Sequence, residues 1–177
     1  KRILDAWNLL KPQARRGIRA PDVFYDVAPL LGEMRLFKSN DEIKLMRKAA
    51  HISVAAHQRA MRACRNACNE YELEAELVYE FARQGCRSVA YDPIVASGEN
   101  ACILHYTANN QPLSPDNLVL IDAGGEYAGY AADITRTFPA NGEFTPDQRT
   151  LYNLVRQAQK AGIECVRPGC LWDDIQR

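Results

Sequence analysis

The chain has 177 residues, 47% of them hydrophobic and 25% charged, and its 22 basic and 22 acidic side chains give a formal charge of zero. Those proportions suit a globular protein with a full core, and the balanced charge argues against nucleic acid or an anionic membrane as the main partner. No apolar run approaches the ~20 residues of a membrane span and the N-terminus lacks a basic-then-apolar leader pattern, so a cytoplasmic protein is expected.

Taken in order, Ile3, Leu4, Trp7 and Leu10 fall at helical spacing until Pro12 ends the pattern. Arg15-Arg16-Gly17 and the prolines Pro12, Pro21 and Pro29 then mark a connecting region up to about Phe37. Ser39 followed by Glu42 has the spacing of a capping box, after which Ile43, Met46, Ala50, Val54, His57, Met61 and Cys64 trace one face of a long helix. His57 lies on that stripe and His51 off it; both read as structural. Asn69 and Glu72 repeat the capping pattern and open a second helix, with Leu73, Leu77 and Phe81 inward and Gly85 as a left-handed cap.

Tyr91-Asp92-Pro93 breaks the helical pattern, Ile94-Val95-Ala96 reads as a strand, and Gly98-Glu99-Asn100 turns into a second strand from Ala101 to Tyr106. A polar loop from Thr107 to Asp116 follows. Thr145, with Pro146 at the first helical position, caps a helix carrying Leu151, Leu154, Val155, Ala158 and Ile163, which Arg167-Pro168-Gly169 ends. Leu171 to Ile175 begins a further helix. This order predicts an α+β fold in which helices cover an antiparallel sheet. The six cysteines show no C-x-x-C pair and no histidine at ligand spacing, and they read as reduced, partly buried thiols.

The stretch from Asn117 to Phe138 carries the chemistry. It reads as two apolar strands joined by a glycine-rich turn, with an acidic residue in each strand. Alternation places Leu118, Leu120 and Asp122 on one face of the first strand, and Asp133, Thr135 and Thr137 on one face of the second. With the turn centred on Tyr127-Ala128, Asp122 and Asp133 become directly opposite partners. Like charges so placed destabilise a sheet unless a cation or a shared proton compensates them. Two divalent metals bridged by the carboxylates would do so and supply hydrolytic chemistry. On the residues alone, a solvated acidic hairpin is the other reading. His105 is likewise open, as either a hydrogen-bonded histidine at a strand end or a functional group.

The strings Gly98-Glu99-Asn100-Ala101-Cys102-Ile103-Leu104-His105-Tyr106-Thr107, Leu120-Ile121-Asp122-Ala123-Gly124 and Asp133-Ile134-Thr135-Arg136-Thr137-Phe138-Pro139 occur in that order. With the lead-in Met34-Arg35-Leu36-Phe37-Lys38-Ser39, they resemble the Xaa-Pro aminopeptidases (aminopeptidase P), which are pita-bread metallopeptidases. The resemblance implies that Asp122 and Asp133 are metal ligands, joined by one histidine and two glutamates from a second half of the fold beyond Arg177. It implies that His105 contacts the peptide at the scissile bond, and that Tyr91 and Thr135 steer the carboxylates by hydrogen bonds. The implied cofactors are two divalent ions, manganese first, with zinc or cobalt as substitutes.

The implied substrates are peptides with proline at the second position, and the implied assembly is a homo-oligomer. Residues 1–37 are then expected to be the tail of an N-terminal domain and a linker, and residues 38–177 the first half of the catalytic domain, inactive in isolation. An Xaa-Pro dipeptidase of the prolidase type is one alternative function, and a non-catalytic pita-bread domain that binds peptides or proteins is another.

Overall fold

The computed structural model describes residues 1–175, which divide into two compact units between Asn40 and Asp41. In the first unit, helix α1 (Arg2–Leu10) runs into a 3-10 turn, Lys11–Arg16, with Pro12 in its first turn. Trp7 organises this unit: its indole Nε1 donates to Pro21 O at 2.7 Å, Phe24 meets its ring edge-on, and the Lys11 ammonium lies over it. The rest of the connecting region is not all loop, because Ala28–Leu36 forms a second helix, α2. Pro29 sits in its first turn, where the missing N–H costs nothing. A proline that read as a linker mark therefore starts a helix.

The second unit opens with the long helix α3 (Asn40–Ala63), followed by α4 (Glu70–Arg83). Both pack on one face of a three-stranded antiparallel sheet ordered β2-β3-β6, with β2 at Ile94–Ser97, β3 at Leu118–Ala123 and β6 at Ile134–Pro139. Burial alternates along β3: Val119, Ile121 and Ala123 are sealed beneath the helices, while Leu118, Leu120 and Asp122 face the other way, half-buried. Leu73, Leu77 and Phe81 of α4 are buried as their spacing predicts, and Gly85 ends the turn beyond it at φ +98°.

The inward face of α3 differs from the expected one. Ala49, Ile52, Ser53, Ala56, His57 and Ala60 are buried, whereas Ile43, Met46 and Val54 are exposed. Small side chains let the helix backbone approach the sheet closely, so the largest residues do not mark the core side. A second antiparallel sheet, ordered β1-β4-β5, joins β1 (Ser88–Val89) to β4 (Gly125–Tyr127) and β5 (Tyr130–Ala131).

Helix α5 (Pro146–Cys165) carries the full reciprocal capping box, in which Thr145 Oγ1 accepts from Gln148 N and Gln148 Oε1 accepts from Thr145 N. Its stripe of Leu151, Leu154, Val155 and Ile163 is exposed. Leu151, Tyr152 and Val155 form one wall of a groove of about 490 Å³ whose other wall is Leu118, Thr135 and Thr137 of the sheet. Beyond α5, Trp172–Ile175 is a 3-10 turn, and the continuation of the helix expected there lies outside the described residues.

Candidate metal centre

The hairpin is set by its turn. Ala128 and Gly129 both take left-handed backbone angles, φ +51° and +85°, the pattern of a two-residue primed turn matched to strand twist. The turn therefore centres on Ala128-Gly129 and not on Tyr127-Ala128. Asp122 pairs with Thr135 and Ala123 with Ile134, so Asp133 lies one position outside β6 and is not directly opposite Asp122. Moving a turn centre by one residue moves the register by two, which conserves the face. The aspartates remain on one face as diagonal neighbours.

Between Ala123 and Gly125 the first strand leaves one sheet and joins the other. Gly124 permits this crossing: a Cβ there would stand 2.2 Å from Ala132 O, so no other residue fits without moving the backbone. The ladder is stretched here, with Ala132 N 3.4 Å from Gly125 O. Ser53 of α3 bridges the opening, its Oγ accepting from Gly125 N at 3.0 Å and donating to Ala132 O at 3.2 Å. One turn along α3, His57 Nε2 donates to Ala123 O at 3.1 Å, which fixes the tautomer and leaves Nδ1 buried without a partner among the described residues. Burial is the largest cause of a lowered His57 pKa, opposed by that hydrogen bond. The ring is a neutral structural brace, in keeping with the structural reading of its sequence position.

Tyr91 is where the carboxylates meet. Its phenol oxygen lies 2.6 Å from Asp122 Oδ1 and 2.9 Å from Asp133 Oδ1. The two carboxylate oxygens are thus no farther apart than those distances laid end to end, close enough to share one cation-binding region. Burial and then its hydrogen bonds to Asp122 and Asp133 push the Tyr91 pKa well above the ordinary tyrosine value. Asp122 is half-buried and Asp133 exposed, so one carboxylate is held from beneath and the other opens to the surface. Thr135, the register partner of Asp122, is also exposed, and its carbonyl accepts from Arg136 Nη1 at 2.7 Å.

His105 lies elsewhere, in the connection between β2 and β3. The strand expected from Ala101 to Tyr106 is absent: Gly98–Cys102 forms a 3-10 turn and His105 sits exposed in a tight turn at φ +57°. Histidine is among the side chains that tolerate this conformation. The apolar alternation misleads here because Tyr106 turns inward to a buried carboxylate, Glu70. Glu70, Ser53 and Asn109 were not legible as site residues. Glu70 and Ser53 do leave a trace in the sequence, for each is a polar residue at core spacing, Glu70 with Leu73 and Leu77, Ser53 with Ala49, Ala56 and Ala60.

The donor set at the hairpin is all oxygen, the chemistry of hard divalent cations. Among the described residues no group of three or more His, Cys, Asp or Glu side chains gathers, so the aspartates fit part of a metal site.

The sequence model of metallopeptidase family M24 matches residues 44–177. The chain belongs to that family. It is 49% identical over 165 residues to the Xaa-Pro aminopeptidase of Escherichia coli K12, covering 93% of this chain and 37% of that protein. The Xaa-Pro aminopeptidase of Haemophilus influenzae is 53% identical over 144 residues, covering 81% of this chain and 34% of its own. Among solved structures, Pseudomonas aeruginosa aminopeptidase PepP superposes with a TM-score of 0.91 at 48% identity, over 98% of this chain and 39% of that one. Zinc-substituted E. coli aminopeptidase P in complex with product gives 0.88 at 48% identity, over 94% and 38%. The fold is accordingly the α+β pita-bread fold of a metal-dependent peptidase family, and the chain spans a little over a third of the length of these relatives. No helix among the described residues is long and apolar enough to cross a membrane.

Proposed function

We propose that the protein to which this chain belongs is an Xaa-Pro aminopeptidase of the cytoplasm, a homo-oligomer that removes the N-terminal residue from peptides with proline second. Asp122 and Asp133 hold two divalent ions, manganese by preference, together with one histidine and two glutamates from outside these 177 residues. Residues 1–37 are the tail of an N-terminal domain and a linker, and residues 38–177 the first half of the catalytic domain. The observation that carries the reading is the convergence of two carboxylates from one hairpin on a single phenol.

Bound there, divalent ions supply Lewis acidity and a water of lowered pKa for attack on the scissile carbonyl. The chain's own residues do the positioning. Tyr91 shares its single phenol proton between the two aspartates it touches, and Thr135, the register partner of Asp122, stands beside it on the neighbouring strand to orient it. His105, on its exposed turn, donates to the scissile group as negative charge develops on it.

The test is hydrolysis of a matched set by the complete protein: an Xaa-Pro-Yaa tripeptide, the same peptide with alanine second, and the Xaa-Pro dipeptide. Release of the first residue from the tripeptide alone, lost to a chelator and restored by Mn²⁺, is expected. Preference for the dipeptide would assign a prolidase-type enzyme, and peptide binding without cleavage a non-catalytic domain.

A further inference from the structure

Glu70 is fully buried, yet it belongs to neither the hairpin nor the helix cap. The start of α4 is served by Glu72, whose Oε2 accepts from Cys68 N at 3.2 Å and whose Oε1 accepts from Asn69 Nδ2 at 3.0 Å. The Glu70 carboxylate instead gathers four donors from the connection that carries His105. Its Oε1 accepts from Ser97 N at 2.8 Å and Asn100 Nδ2 at 2.9 Å, and its Oε2 from Tyr106 O–H at 2.7 Å and Gln111 N at 3.0 Å. Two of these lie before His105 and two after it, one of them on the adjacent residue.

Asn109 fastens the same connection separately. Its Oδ1 accepts from Val95 N, and its Nδ2 donates to Pro93 O and to Glu74 Oε2. Between these anchors the tip is bare, with Ile103 56% and Leu104 85% exposed beside the left-handed His105. No ladder hydrogen bonds define the tip, so its conformation is set by what holds its ends.

We propose that Glu70 is a positioning residue for His105, the buried acceptor that fixes both arms of the turn presenting the imidazole. This deepens, and rests on, the role given to His105 above. Each carboxylate oxygen accepts from one backbone N–H, Ser97 on one side and Gln111 on the other, so an isosteric amide turns its N–H₂ on at least one backbone donor that cannot accept. A network of this kind fails as a unit when one member is reversed.

The experiment uses the complete protein with Glu70→Gln, His105→Ala and the pair, read by amide hydrogen exchange and by kinetics. Exchange at residues 103–108 should quicken by about tenfold or more while the β3 amides keep their protection. Glu70→Gln should lower kcat about tenfold with KM nearly steady, and should cost almost nothing further when His105 is already alanine. Unchanged exchange in the turn, or an equal loss of rate in both backgrounds, overturns the proposal. Full activity in His105→Ala alone would remove the role of His105, and the exchange result would still decide whether Glu70 holds the turn. Should Glu70→Gln fail to fold, Tyr106→Phe removes one donor and keeps the ring, and the same two readouts decide.

Discussion

The hairpin of Asp122 and Asp133 and the connection of His105 present their side chains by opposite means. The hairpin is ladder: register, a primed turn and the crossing at Gly124 place both aspartates, and Ser53 and His57 only brace the place where the ladder opens. The connection has no ladder at its tip, and its geometry depends on two buried side chains, Glu70 and Asn109. A group held by periodic backbone is buffered against the loss of any one side-chain contact. A group held by a buried polar hub is not.

That contrast can be broken or sharpened by substitution in the complete protein. The largest effect is expected from Asp122→Asn or Asp133→Asn, which leave the ladder intact and remove a charge from the proposed metal site. Activity should fall to background with the melting temperature near that of the parent, as peptide kinetics and thermal melting will show. His105→Ala should lower kcat and kcat/KM together by about 10²–10³, some 3–4 kcal/mol of transition-state stabilisation, with metal content unchanged. If His105 were only structural, the same change would depress the melting point and spare the rate of each folded molecule.

Tyr91→Phe should cost about 10–100-fold in metal affinity, since it removes the hydroxyl that both aspartates touch without changing their charge. Calorimetric Mn²⁺ titration measures this, and parent-like affinity would show that the carboxylates are set by backbone alone. Ser53→Ala leaves Gly125 N and Ala132 O without their bridge and should destabilise by about 1–3 kcal/mol in denaturant unfolding. Because the ladder still holds on either side, activity per folded molecule should fall less than in Tyr91→Phe. The smallest effect is expected from Thr145→Ala at the start of α5, about 1 kcal/mol of stability with kinetics untouched.

The same contrast explains what could be read from the sequence. The hairpin was legible because period-2 alternation, the glycines and two misplaced carboxylates all signal locally, and the error of one residue in the turn left the face correct. The Thr145 cap of α5 and the inward face of α4 were legible for the same local reason. The turn of His105 was not. Ala101 to Tyr106 alternates like a strand, and only a carboxylate some thirty residues earlier in the chain decides otherwise. The face of α3 differs from the one its large residues predict because close packing on the sheet selects Ala49, Ala56 and Ala60 over the larger Ile43, Met46 and Val54. Helix α2 is not legible in the sequence because its apolar residues show no clear stripe and Pro29 reads as a break.

Asp122 and Asp133 are proposed to act as a shared metal cradle. Crystals of the complete protein grown with Mn²⁺, measured at the manganese absorption edge, test this directly. Anomalous peaks within coordination distance of both carboxylates, absent from crystals of Asp122→Asn, are the predicted result. Manganese bound elsewhere, or a hairpin that stays free of metal while the enzyme is fully active, would contradict it.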